Sequence, residues 1–149
     1  MSDRLPQLSR VTVIRVMPIG FCTYRDFRLL FIRAHGVITQ TERVEAMLAW
    51  LRDPEYQQCT DALFDVTAAQ STPRLAELRQ IVALLRQSMP GSGPRRLAIV
   101  TAKPITYAVA RVFQEVIQLK DVPLQVRVFM DRELAWAWLR PDESLPDMV

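Results

Sequence analysis

The chain has 149 residues, half of them hydrophobic and 23% charged, which is the balance of one soluble globular domain and not of a disordered, collagenous or disulfide-stapled chain. Nineteen basic residues against sixteen acidic ones leave a net charge of +3, and the positives are scattered with no run of five, so a nucleic-acid groove interleaved with stacking aromatics is not expected. No apolar run approaches the ~20 residues of a membrane span, and MSDRLPQLSR lacks the continuous apolar stretch of a secretory leader, so a cytoplasmic address is expected.

Past an extension over residues 1–10, Val11 to Met17 is rich in β-branched residues and punctuated by Pro18 and Gly20, the marks of a strand. Phe27 to Ala34 is a second apolar run, and Phe21 to Tyr24 reads as a short strand pairing with it across Arg25-Asp26. An antiparallel start to the sheet follows. Thr39 and Glu42 stand three apart as a capping box, and Val44, Met47, Leu48 and Leu51 recur on one helical face; a helix is expected from about Thr41 to Arg52, stopped by Pro54. Ala62 to Val66 is a short buried strand. Thr72 and Pro73 offer an N-cap and an N1 proline for a helix reaching Ser88, with Leu75, Leu78, Val82 and Leu85 on its apolar face. Met89 to Pro94 is a loop, and Leu97 to Thr101 the next strand. Pro104 opens a helix whose Ile105, Val109, Val112, Val116 and Ile117 share a stripe; Leu124 to Phe129 is the last strand, and Asp131 caps a terminal helix through Leu139. The acidic, proline-bearing segment 141–149 reads as a frayed tail.

From Ala62 onward strand and helix alternate with short connections, which requires parallel strands joined by right-handed crossovers. The fold class is α/β. A single domain over residues 11–140 is expected, with a mixed sheet of four to five strands, an antiparallel N-terminal start, a parallel βαβαβ core and about four helices.

Cys22 and Cys59 have no CxxC spacing and His35 is the only imidazole, so neither a metal site nor a Ser-His-Asp or Cys-His nucleophile set is expected. GxxxxGK[ST] and GxGxxG are absent, and Gly91-Ser92-Gly93 precedes a strand where a phosphate loop would follow one. No cofactor is expected, and no catalytic residue is named. In an open parallel sheet the polar residues to inspect lie beyond the carboxyl ends of the strands. These are Asp65, Thr67, Ser71 and Thr72 after one strand, and Thr101 and Lys103 after the next. A carboxylate, hydroxyls and one ammonium beside helix N-termini suit a small anionic ligand. The same residues have structural uses, Thr72 as a helix cap, Asp65 as an acceptor of loop N–H groups and Thr101 as a strand end, and both accounts stand at this point. Trp50 and Trp138 read as core residues, with Trp136 pointing away and exposed as a partner-surface hint.

RLLFIRAHGVIT leading into a helix, DPEY, the strand-end Asp65 of ALFDV, RRLAIVTAKPITYAVARVF and VFMDRELAWAWL together resemble the bacterial STAS/SEC14-like proteins of the SpoIIAA-like fold, over residues 11–140. The resemblance implies a mixed sheet of four or five strands with helices packed against it. In the related anti-sigma-factor antagonists a serine at the start of the helix after the strand-end Asp is phosphorylated to switch partner binding. By position Ser71 or Thr72 would be that residue, although Gln70-Ser71-Thr72-Pro73 stands where those proteins have an Asp-Ser pair. The SEC14 side of the resemblance implies lipid carriage. The leading functional expectation is a non-enzymatic regulatory or interaction module whose partner is another protein or a second copy of itself. The alternative is a small-ligand or lipid-binding domain using the strand-end pocket or a cavity between sheet and helices.

Overall fold

The computed structural model describes residues 10–16, these through their backbone, and residues 18–148. The expected N-terminal extension, apart from Arg10, lies outside the described residues. Six strands lie side by side in chain order: β1 (Arg10–Val16), β2 (Ile19–Tyr24), β3 (Leu29–Gly36), β4 (Asp61–Ala69), β5 (Arg96–Val100) and β6 (Gln125–Phe129). β1, β2 and β3 pair antiparallel, while β3 to β6 run parallel. The sheet is one strand wider than the upper expectation because Phe21–Tyr24 belongs to a full strand, paired with β3 from Ile19 to Tyr24.

The helices α1 (Gln40–Arg52), α2 (Leu75–Ser88) and α3 (Pro104–Leu119) are the three crossovers between consecutive parallel strands. Where strand order never reverses, crossovers of one hand all land on the same face of the sheet. Ile19, Leu30, Ile32, Ala62, Leu97, Ile99 and Val126 accordingly form one core with Met47, Leu78, Val82 and Phe113. The last helix, α4 (Arg132–Leu139), turns to the opposite face and packs Ala135, Trp136 and Leu139 on Phe31, Leu63, Ala98 and Val100.

Local chemistry sets the boundaries. The capping box of α1 forms as expected, with Thr39 Oγ1 accepting from the Glu42 N–H at 3.2 Å and Glu42 Oε1 accepting from the Thr39 N–H at 2.9 Å. β4 runs three residues past its expected end. Its pairing slips between Arg33↔Asp65 and His35↔Ala68, so one extra residue is accommodated as a bulge. Asp65 Oδ1 takes up the Thr67 N–H at 2.9 Å and the Thr67 hydroxyl at 2.6 Å, supplying an acceptor inside the irregular stretch. The longer strand displaces the loop, and α2 begins later than Thr72-Pro73 predicts. Its N-cap is Arg74, whose N–H donates to Glu77 Oε1 at 2.9 Å, and Leu75 faces solvent.

Two helix faces differ from expectation. α3 buries Thr106, Ala110, Phe113 and Ile117, leaving Ile105 and Val112 of the predicted stripe outside; the helix has two apolar faces, and hydropathy alone does not rank them. In α4 it is Trp136 that is buried, 2% exposed, edge-on to Phe27 with centroids 5.2 Å apart. Its indole N–H donates to the Glu143 carbonyl at 2.8 Å. Beyond it Leu145 and Met148 pack, partly buried, against the second core, while residues 141–144 are exposed. Gly93 holds φ +117°, and a Cβ there would stand 2.7 Å from the ring of Tyr56. The loop over 89–94 can close on that buried ring only with glycine at this position.

Candidate functional site

The six polar residues expected to gather at the strand ends do share a carboxyl edge, since β4 and β5 are parallel neighbours, but the sheet divides them. Asp65 lies on the α4 face, 3% exposed, where its carboxylate pairs with Arg132 of α4 and accepts both Thr67 donors. Burial pushes this carboxyl up, and the bonds from Thr67 and Arg132 outweigh it and hold it below the ordinary carboxylate value. Arg132 also lies over the Phe31 ring, 5.3 Å from its centroid. The carboxylate is thus committed to an internal pair. Thr101 is fully buried, its hydroxyl directed at Met130 Sδ at 3.2 Å. Lys103 is exposed at the N-cap of α3, and its carbonyl accepts from the Thr106 hydroxyl at 2.9 Å. Ser71 and Thr72 stand on the other side of the sheet. The Ser71 hydroxyl accepts from the Ile38 N–H at 2.8 Å and donates to the Ile38 carbonyl at 3.3 Å, fastening the loop after β4 to the end of β3. The topology explains the division. A crevice opens at the carboxyl edge of a parallel sheet where strand order reverses, and the order here does not reverse.

A different concavity is present. Between the sheet and the three crossover helices lies a cavity of about 180 Å³. Its floor is the α1–α3 face of the sheet, including Ile32, Ala34, Ala62, Phe64 and Ile99; its roof is Met47 and Trp50 of α1, Leu78, Ile81 and Leu85 of α2, and Val109, Ala110 and Phe113 of α3. Ser71, Thr72 and Pro73 line it toward the carboxyl edge, and Tyr56 and Pro94 line it toward the amino ends of the strands. Small side chains hollow it out, Ala34 and Ala62 below and Ala110 above. Helix α2 buries Leu78, Val82 and Leu85 in the same core as the sheet residues, and Leu78, Ile81 and Leu85 also line the cavity. Latches between the first two helices are polar: Gln40 Nε2 donates to the Glu77 carbonyl at 3.0 Å and to Gln80 Oε1 at 2.8 Å.

One charged side chain lines this apolar space, Arg43 of α1. Its side chain is 12% exposed. Nη1 donates to Gln40 Oε1 at 3.3 Å and lies 3.8 Å from Glu77 Oε1. Glu77 is itself engaged by Arg74, at Oε1 by the N–H and at Oε2 by Nη2. Burial lowers the Arg43 guanidinium from its ordinary value against the opposing pull of Glu77 and Glu42. Sequence reading allowed for a cavity between sheet and helices but missed Arg43. The available signal was position: Arg43, Met47 and Trp50 fall at i, i+4 and i+7, so a cation sits on an otherwise apolar helical stripe. At the far end burial pushes the Tyr56 hydroxyl up to about 12 and the nearby Cys59 thiol likewise to about 12, leaving both neutral at physiological pH. Cys22 and Cys59 are both buried. Among the described residues no three of His, Cys, Asp and Glu gather as a metal-binding group, and no helix is long and apolar enough to cross a membrane.

A single-domain α/β protein with a mixed sheet, three helices over a hollow face and one over a filled face is the class that this geometry defines. A family model described as SpoIIAA-like matches residues 29–140, from the first parallel strand to the end of α4, and the chain belongs to that SpoIIAA-like, STAS-like family. Among solved structures, an uncharacterised protein of the DUF3478 family with a SpoIIAA-like fold, from Shewanella loihica PV-4, is similar at 22% identity over 93% of this chain and 98% of that one, with a TM-score of 0.43. No curated protein matches.

Proposed function

We propose that this protein is a non-enzymatic binding module whose working part is the cavity between the sheet and α1–α3, taking a small apolar or lipid-like ligand. The observation that carries the reading is a void of about 180 Å³ lined almost wholly by apolar side chains. The lining places the half-buried Trp50 beside Phe21 and Phe64, so tryptophan emission reports on occupancy. Titration with alkyl compounds of graded chain length should shift that emission with saturation and raise the melting temperature in parallel. A flat response across the whole series removes the reading.

A second reading, self-association, is favoured by a separate observation on α3. Ile105, Val112 and Leu119 are 60%, 41% and 79% exposed and recur every seven residues, which places them on one face every two turns. The stripe is symmetric about Val112, so an antiparallel second copy would set Ile105 against Leu119 and Val112 against itself. The contact would be isologous. Sedimentation velocity should detect a dimer that Val112→Glu dissociates; a wild-type monomer at high micromolar concentration ends this reading.

A further inference from the structure

Cavity ligands divide by what their polar end requires, and here one residue decides it. Arg43 brings the one charged group into an apolar lining, and its two contacts both leave from Nη1, toward Gln40 and Glu77. Among the described residues Nε and Nη2 have no hydrogen-bond acceptor. A guanidinium presents a planar fork of donors that matches a carboxylate, and the Nε and Nη2 side of this fork is the part no protein acceptor occupies. The Glu77 carboxylate does not fill the role, because at 3.8 Å it stands beyond hydrogen-bond distance and its oxygens are taken by Arg74. Arg43 lies on the second turn of α1, at the carboxyl-edge end near Ser71, while the opposite end of the cavity is closed by Tyr56 and Pro94. The space is therefore polar at one end and apolar along its length.

We infer that the ligand is a single-chain amphiphile bearing a carboxylate, its headgroup on the Nε and Nη2 side of Arg43 and its alkyl chain running between sheet and helices toward Tyr56. This rests on the cavity reading given above and names the ligand class. One cation, partly offset by Glu77, suits a monoanion better than a phosphate dianion. A volume of about 180 Å³ is below the ~300 Å³ at which drug-sized pockets begin, and leaves room for one alkyl chain and not two.

The test compares decanoate with decanol, which share a chain and differ in the headgroup, by isothermal titration calorimetry and tryptophan emission at neutral pH. Decanoate is expected to bind at least about tenfold more tightly than decanol to the wild-type chain, the return on one charge-assisted hydrogen-bonded pair. Arg43→Met, which keeps length and apolar bulk, should erase that preference while decanol affinity stays within about twofold; Arg43→Lys should keep part of it. Equal affinities for the two probes in the wild-type chain would overturn the headgroup assignment and leave the cavity reading standing, and so would a preference that survives in Arg43→Met. Binding of neither probe would overturn both. The wild-type comparison needs no variant to fold.

Discussion

The two faces of the sheet are built from the same strands and serve opposite ends. On the α4 side the space is filled and charges are paired off internally. Asp61, at the start of β4, receives Arg96 Nε at 2.8 Å and Arg96 Nη2 at 3.0 Å, and Arg140 beside them. Arg96 also donates to the carbonyls of Trp138 at 3.2 Å and Leu139 at 3.1 Å, occupying carbonyls that the end of a helix leaves without partners. Trp138 is covered by the guanidinium groups of Arg96 and Arg127, 5.5 Å and 5.4 Å from its centroid. At the other end of α4 the Arg132–Asp65 pair repeats the device. On the α1–α3 side the strands offer alanines, a cavity lies under the helices, and among the described residues Arg43, the cation of its lining, has donors to spare. The contrast separates a face that holds the fold together from one that holds something else.

The strongest way to break the comparison is at Asp61. Asp61→Ala leaves two guanidinium groups without their shared carboxylate, and removal of one partner from a buried pair costs about 3 to 5 kcal/mol; the partial exposure of Arg96 sets the expectation near about 3. Urea denaturation measures it, and decanoate affinity in the folded variant should be unchanged. A loss below about 1 kcal/mol would mean that the α4 face is not the stabilising one.

Asp65 sharpens the same point through pH. Its folded carboxyl sits below the ordinary value, so the stability it contributes is complete above the unfolded-state pKa of about 3.9 and is lost as pH falls through the lower, folded value. The difference in unfolding free energy between wild type and Asp65→Asn should therefore be flat from about pH 7 to 5 and close progressively below about pH 4. A difference that is independent of pH down to 2 would detach the Arg132–Asp65 pair from stability.

How much of this contrast can be read from residues alone depends on whether a feature is local. The capping box at Thr39 and Glu42, the Asp131 cap of α4 and the parallel alternation from Ala62 onward are written in neighbouring residues and appear where sequence places them. The N-cap of α2 was not legible, because it moved when β4 lengthened through a bulge that depends on pairing with β3. Trp138 packs against the core as its sequence suggests, but the burial of Trp136 was not legible, its indole being met by the Glu143 carbonyl seven residues away in a segment whose composition suggested fraying. The split of the strand-end residues followed from alternation along β4 together with a strand order that never reverses. Arg43 was visible as a cation on an apolar stripe, but only the cavity that the tertiary packing leaves beside it turns that into a site.

The smallest expected effect is also the one that joins the two faces in a single measurement. Ala110 lies on the inner side of α3 and lines the cavity. Leucine there keeps good helix propensity and extends three carbons into apolar space. If the hollow is a packing defect with no use, Ala110→Leu stabilises the protein by about 0.5 to 2 kcal/mol and nothing else changes. If the hollow is the binding site, the same substitution gives that stability and also removes decanoate binding and the ligand-dependent rise in melting temperature. Should the variant lose about 1 to 3 kcal/mol, as overpacking would predict, the cavity is not open in the folded protein and the distinction between its faces collapses. The sign of the stability change therefore tests the structure, and the binding readout tests the function.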